Sequence, residues 1–153
     1  MAKGQSFLNK PDKTDRGGIR HLHVVITESD EDNNVLVVPV CTYIEDNGVP
    51  RQGQDSSCIL KAGCHPFVKT KSYISYRNAK EMSLIDIFNG LQKGILIKYA
   101  DFENHYVQDM QIGAEASIYL PEKFKRFFNY FIILLPYSPL SSSTSDTTEY
   151  NSL

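Results

Sequence analysis

The apolar residues of this 153-residue chain change their spacing near residue 83, and this change constrains the fold more than any other feature. Before it, short segments alternate between apolar and polar residues or are rich in Val, and turn-forming residues separate them. After it, apolar residues recur at intervals of three and four, as on one face of a helix. We therefore expect one α+β domain in which short strands form a small barrel or sandwich.

Two adjacent segments give the clearest strand predictions. Residues 21–28 place Leu22, Val24 and Ile26 on one face, and residues 35–42 are rich in Val. Pro39 lies inside the second segment and predicts an edge position, a bend or a bulge there. Shorter strands are predicted over residues 57–60, 72–76, 79–82 and 95–99.

Helical signals dominate the second half of the chain. The run from Ser83 to Asp86 resembles an N-terminal capping box, and Gly94 supplies a stop. Between them, four apolar residues lie at helical spacing: Leu84, Ile87, Phe88 and Leu91. A second helix is predicted over about residues 103–116, with Val107, Met110 and Ala114 on one face. A third begins near Pro121, and its apolar stripe comprises Phe124, Phe127, Phe128, Phe131 and Leu135.

Composition divides the chain into three parts. Residues 1–19 are polar, contain glycine and lack periodicity, so we expect a flexible N-terminal arm. Residues 20–136 carry the strand and helix signals and form the single predicted domain with its C-terminal helical extension. In residues 137–153, nine of seventeen residues are Ser or Thr, which predicts a disordered tail.

The charges are unevenly distributed although the formal net charge is only -2. That total argues against a protein that coats nucleic acid or membrane by bulk charge. Residues 28–46, however, contain six acidic residues and no Lys or Arg, whereas residues 61–80 contain five basic residues and no Asp or Glu. The basic segment is therefore a candidate working face.

The predictions for compartment and cofactors rest on features that the sequence lacks. Three cysteines do not suggest a disulfide framework, and the N-terminus has no apolar signal region, so we expect a cytoplasmic protein. The apolar run over residues 130–135 is far shorter than the ~20 residues that span a bilayer. Cys58, Cys64 and His65 lack the close paired spacing of zinc sites, so no metal or cofactor is expected, and a zinc-supported structural protein is the weaker alternative.

The basic segment interleaves cations with aromatic rings. Lys69 and Lys71 would share a face of an extended chain, and Tyr73, Tyr76 and Arg77 follow closely. Cations that track phosphates and rings that stack on bases are what binding of single-stranded nucleic acid requires. The alternative interpretation is a solvated edge strand that carries Lys to block aggregation, with its aromatic residues pointing inward.

The histidines suggest a cleavage chemistry. His21 and His23 share one face of the first predicted strand, and His65 lies in a turn. Two imidazoles and an Arg can cleave RNA without a metal ion: one His takes the proton of the 2′-hydroxyl, another protonates the leaving oxygen, and Arg steadies the charged phosphorane. A purely structural role for each His is the alternative.

The chain also resembles a known family over about residues 20–90. The stretch Arg20-His21-Leu22-His23-Val24-Val25-Ile26-Thr27, followed by Val35 to Thr42, is similar to two adjacent strands of the PemK/MazF-type toxins. The run His65-Pro66-Phe67 and the later Ser72-Tyr73-Ile74 also recur in uncharacterised bacterial proteins described as MazF-like. The resemblance implies an SH3-like β-barrel with C-terminal helices.

The same resemblance implies a function and a site. Members of the family are toxins of toxin–antitoxin modules, and many are metal-independent endoribonucleases. Their site uses an Arg just before the first strand and a Ser or Thr after the Pro of the next, and the nearest residues here are Arg20, beside His21, and Thr42, beside Cys41. With His65, these residues form the expected catalytic set: Arg20, His21, Thr42 and His65.

Partners are expected on the same basis. They are RNA, an antitoxin protein and a second copy of the chain in a homodimer. The alternative function is a non-catalytic module that binds nucleic acid or protein, since CcdB-like members of the superfamily act by binding gyrase.

Overall fold

A computed structural model describes residues 2–9 and 20–128 as an α+β structure. Nine strands lie in this part of the chain: β1 (Ser6–Asn9), β2 (Leu22–Val25), β3 (Asn34–Thr42), β4 (Glu45–Asp46), β5 (Val49–Pro50), β6 (Ile59–Leu60), β7 (Ser72–Ile74), β8 (Lys80–Ser83) and β9 (Leu96–Tyr99). The helices are α1 (Leu84–Gln92) and α2 (Asn104–Ala116), with short 3₁₀ turns at Tyr76–Asn78 and Glu122–Phe124. The expected α+β class is confirmed.

Seven strands form one antiparallel sheet in the order β6-β7-β3-β2-β1-β9, and β8 also pairs with β3. The short strands β4 and β5 form a separate hairpin. Among the described residues the sheet is open: β9 ends it on one side, and β6 and β8 end it on the other. The expected closed barrel is therefore not what these strands form.

Both faces of the central strands are covered, which explains why β2 and β3 are almost continuously apolar. On one face, Leu22, Val24 and Leu36 pack with Met110 of α2. On the other face, Val25, Val37 and Phe7 pack with Ile87 of α1. We call these the α2 face and the α1 face.

Pro39 lies in a central strand, so its predicted edge position is wrong. The strand that faces β3 on this side is interrupted at the level of Pro39: β7 pairs with residues 40–42 and β8 with residues 34–37. The carbonyl of Pro39 accepts from the Ser75 N–H at 3.1 Å. Because the nitrogen and the carbonyl of one strand residue point to the same side, the ring nitrogen of Pro39 also faces this interruption. A proline is tolerated here because no ladder hydrogen bond is lost.

The predicted flexible arm contains a strand of the sheet, so the prediction is wrong for residues 6–9. Strand β1 pairs with both β2 and β9, and Phe7 is buried. Four residues are too few to show a strand period, and the pairing partners lie far away in sequence. Polarity predicts an arm for this segment, but pairing with strands that are distant in sequence decides its structure.

The two helices agree with their predictions. Ser83 caps α1, since its Oγ accepts from the Asp86 N–H at 3.1 Å. Ile87 is buried, but Phe88 is 60% exposed and does not belong to the packed stripe. The predicted face of α2 is buried at Val107, Met110 and Ala114.

The third predicted helix is described only at its start. Residues 126–128 are helical after the 3₁₀ turn, and Phe124, Phe127 and Phe128 pack on the core of the α2 face. Phe131, Leu135, the end of the domain at residue 136 and the tail over residues 137–153 lie outside the described residues. None of the helices in residues 2–9 and 20–128 has the length and apolar content needed to cross a membrane.

Candidate functional site

Three of the four predicted catalytic residues line one cleft. This cleft has a volume of about 240 Å³ and lies where β3 ends, beside the loop that precedes β7. Its walls include Arg20, His21, Thr42, Phe67 and Lys69, and we call it the His21 cleft. The pairing of Leu22 with Val40 carries His21 to the level of Cys41, one residue before Thr42.

The imidazole of His21 is held by the backbone of β3. Its Nδ1 lies 3.3 Å from the carbonyl oxygen of Val40. Because a carbonyl can only accept a hydrogen bond, this contact places the proton on Nδ1. In the neutral ring Nε2 is then left with a free lone pair, which is the state that a general base requires.

Cys41 is a neighbour that the sequence reasoning did not place at the site. Its Sγ lies 3.7 Å from Nδ1 of His21. Burial raises the pKa of the Cys41 thiol, and a hydrogen bond with Tyr73 only partly opposes this effect. The thiol stays protonated at neutral pH, so Cys41 is a poor nucleophile here. The register that places His21 opposite Cys41 depends on how β2 pairs with β3, which the alternation of each strand does not reveal by itself.

The exposed members of the cleft are Arg20, Thr42, Lys69 and Thr70, and His21 is half-buried. A guanidinium, a hydroxyl and an ammonium on one rim can bind a phosphate group. No described carboxylate forms an ion pair with Arg20 or Lys69. The two cations of the His21 cleft are therefore available for an anionic ligand.

His65 does not line the His21 cleft, and its assignment to the catalytic set is corrected. The side chain is 3% exposed and stacks on Phe102 with ring centres 4.1 Å apart. Its Nε2 donates to the Ala100 carbonyl at 2.6 Å, and its Nδ1 accepts from the Phe67 N–H at 3.0 Å. Both ring nitrogens are used, so His65 shapes the loop that carries Phe67 and Lys69.

Tyr76 also has a structural role rather than the predicted base-stacking one. Its ring is fully buried, and its hydroxyl donates to the Met110 carbonyl at 2.6 Å. The ring is therefore inaccessible to a nucleobase.

The remaining predicted nucleic-acid-binding residues are dispersed. The Lys71 ammonium lies 3.4 Å from Glu45 Oε1 and 4.4 Å from the ring centre of Tyr43, so the basic and acidic segments meet here. Tyr73 is half-buried beside Tyr43. The Arg77 guanidinium lies over the ring of Tyr119. Of this set, only Lys69 lines the His21 cleft.

Within the described parts of the chain, no three His, Cys, Asp or Glu side chains are grouped closely enough to hold a metal ion. Cys41, Cys58 and Cys64 are free thiols, and burial raises the pKa of Cys58 to about 11.

Comparisons of the chain with protein-family models, with curated proteins and with solved structures found no match.

Proposed function

We propose that the His21 cleft binds single-stranded RNA and cleaves it without a metal ion. The observation that carries this proposal is the contact of His21 Nδ1 with the Val40 carbonyl, which leaves Nε2 as a base. Arg20 and Lys69 on the same rim supply the positive charge that an RNA phosphate needs.

The chemistry uses the cleft residues in defined roles. His21 Nε2 takes the proton of a 2′-hydroxyl, and that oxygen attacks the adjacent phosphorus as the bond to the 5′-oxygen breaks. Arg20 and the Thr42 hydroxyl stabilise the charge on the phosphoryl oxygens. Because the second imidazole is absent from the cleft, Lys69 protonates the leaving oxygen. The products are a 2′,3′-cyclic phosphate and a 5′-hydroxyl, and the proton on His21 returns to Lys69 through solvent.

The biological role in this proposal is that of a toxin held in check by an antitoxin protein in the cytoplasm. The support is the similarity of Arg20 to Thr42, and of the later His65 to Ile74 stretch, to PemK/MazF-type proteins. In this proposal the open sheet is a variant of their SH3-like barrel, and the protein forms a homodimer as they do.

Cleavage of a fluorescent single-stranded RNA in EDTA tests the proposal. His21→Ala is expected to lower the rate by about 10²- to 10⁴-fold, because it removes the general base. His105→Ala is the matched control, since His105 is an exposed imidazole on α2 and does not line the cleft. Loss of wild-type cleavage in EDTA, or equal rates for the two variants, would refute the proposed mechanism.

A non-catalytic RNA-binding module is the second candidate, because the cleft has two available cations but only one imidazole. Binding without cleavage would then be observed for the wild type. Lys69→Met should weaken such binding and reduce its salt dependence by about one released counterion. An affinity that does not change with salt would exclude this candidate as well.

A further inference from the structure

A second cavity, of about 460 Å³, lies beside β2 and has no role in the proposed cleavage. Six of the residues that line it carry the inference: His23, Phe7, Asn9, Lys80, Met82 and Lys123. We call it the His23 cavity. His23 lies in β2, and His21 immediately precedes that strand, so about 7 Å separates their Cα atoms. The two sites share no lining residue, and this short separation along the chain is what relates the cavity to the His21 cleft.

His23 lines this cavity, and its ring carries an unsatisfied polar atom. The side chain is 8% exposed and stacks on Phe7, with ring centres 5.7 Å apart and an interplanar angle of 13°. Its Nδ1 is buried and has no hydrogen-bond partner among the described residues. A buried polar atom without a partner costs about 1–3 kcal/mol, and a turn of the ring that brings Nδ1 to the cavity wall would let a ligand recover that energy.

Two ammonium groups of the cavity also lack a counterion. Within residues 2–9 and 20–128, no carboxylate forms an ion pair with Lys80 or Lys123. Glu81, the acidic residue at the cavity, is engaged by Arg126 and by the Asn34 amide. The cavity therefore has positive charge available for an anion.

The size and walls of the cavity restrict the ligand further. A volume of about 460 Å³ lies within the range of small-molecule sites and accommodates a ligand with a ring system. Phe7 and Met82 provide apolar wall, and the Asn9 amide can both donate and accept. A ligand with an anionic group, a planar body and polar ring edges matches these features, and a nucleotide has all three.

We propose that the His23 cavity binds one nucleotide of the strand held in the His21 cleft, with its phosphate on Lys80 and Lys123 and its base edge on His23 Nδ1 and Asn9. This inference rests on the proposed function, because it takes the ligand to be part of the same RNA. It goes beyond that function by assigning a recognition site for a base next to the cleavage site.

The charge state of His23 is consistent with this division of roles. Burial, with smaller contributions from Lys80 and His21, lowers the pKa of His23 to about 4. The ring is neutral at pH 7, so the lysines take the phosphate and His23 reads an uncharged edge. Glu81 and Asn9 are the other polar groups of the cavity, and Glu81 is neutralised by Arg126.

Titration of 5′-UMP and 5′-AMP into ¹⁵N-labelled protein, followed by amide shifts, tests the inference. Saturable shifts are expected at His23 and Lys80 in the wild type. Lys80→Met should weaken binding by about tenfold, because it removes a charged phosphate contact. His23→Phe keeps the stacked ring but removes Nδ1, and should weaken binding by about threefold. Lys61→Met is the control, since Lys61 is an exposed lysine that lines neither site.

Three results would overturn the inference: no saturable shifts, the same affinity in Lys80→Met as in Lys61→Met, or inorganic phosphate binding as tightly as the nucleotides. Lys80 is exposed, so this comparison decides the matter even if His23→Phe fails to fold. The proposed function can be refuted independently of this inference. Nucleotide binding without RNA cleavage would refute the nuclease and support the nucleotide site, whereas cleavage without nucleotide binding would do the reverse.

Discussion

His21 immediately precedes β2 and His23 lies within it, two residues further on, yet their surroundings give them different chemistry. His21 is half-buried, and the Val40 carbonyl fixes its tautomer. His23 is 8% exposed, stacks on Phe7 and has no partner for Nδ1. Sequence spacing predicted that they share a face but not which one is a usable base, because burial of each ring depends on strands that are distant in sequence.

The lowered pKa of His23 makes the protein less stable at acidic pH. An unfolded His binds a proton near pH 6.5, whereas the folded His23 does so only near pH 4. The unfolded state therefore binds more protons between these values, and stability falls as the pH decreases through this window by up to about 3 kcal/mol. Urea unfolding at pH 7.5 and pH 4.5 measures this loss.

His23→Phe should remove most of that pH dependence. Since other groups also titrate between pH 7.5 and pH 4.5, His105→Ala, which removes an exposed His, serves as the control and should retain it. A steep decline that persists in His23→Phe would contradict the assignment.

The burial of Tyr76 could have been predicted from the alternation of apolar and polar residues along its predicted strand. In residues 72–76, Tyr76 falls on the same side as Ile74, and Ile74 is fully buried in the core. The pattern of cations and rings instead favoured a stacking role. The strand period was the better guide here, because the Tyr76 ring lies with Ile74 in the apolar core of the α2 face.

At the scale of elements, α1 and α2 were predicted well because their signals are local. A capping residue and apolar residues three and four apart define a helix without reference to the rest of the chain. Strand β1 and the setting of Pro39 were not predicted, since the first depends on pairing with β9 and the second on the break between β7 and β8.

Gly113 fixes how closely α2 can approach the sheet. A Cβ at this position would lie 2.9 Å from both the Cβ of Cys58 and the carbonyl oxygen of Ser57, and closer still to the Tyr76 hydroxyl. Gly113→Ala is therefore expected to destabilise the protein by about 1–3 kcal/mol despite its better helix propensity. Thermal unfolding measures the effect, and Glu115→Ala on the exposed side of α2 should change stability little. A more stable Gly113→Ala protein would contradict this packing.

At the scale of the whole molecule, β1 joins the two parts of the sheet. It lies between β2 and β9, and Phe7 anchors it in the core of the α1 face. Both candidate sites lie beside β2 and its neighbours, with His21 just before this strand and His23 within it. The integrity of the sites therefore depends on the strand that the sequence pattern failed to indicate.

Phe7→Ala should reduce the free energy of unfolding by about 3–5 kcal/mol, because it empties a fully buried position. Chemical denaturation measures this value. Lys3→Ala is the comparison, since the Lys3–Glu28 pair is exposed and should contribute less than about 1 kcal/mol. A Phe7→Ala protein as stable as Lys3→Ala would mean that this segment is an arm after all.

The position of β1 also has a consequence for how the chain is made. Its second partner, β9, lies about 90 residues further along, so the edge of β1 stays unpaired while that length is translated. At ~5–20 residues per second, this takes about 5 to 20 seconds. During that time an unpaired strand edge is open to other nascent chains. Slower synthesis of residues 10–95 should therefore increase aggregation, whereas the completed sheet protects the same edge.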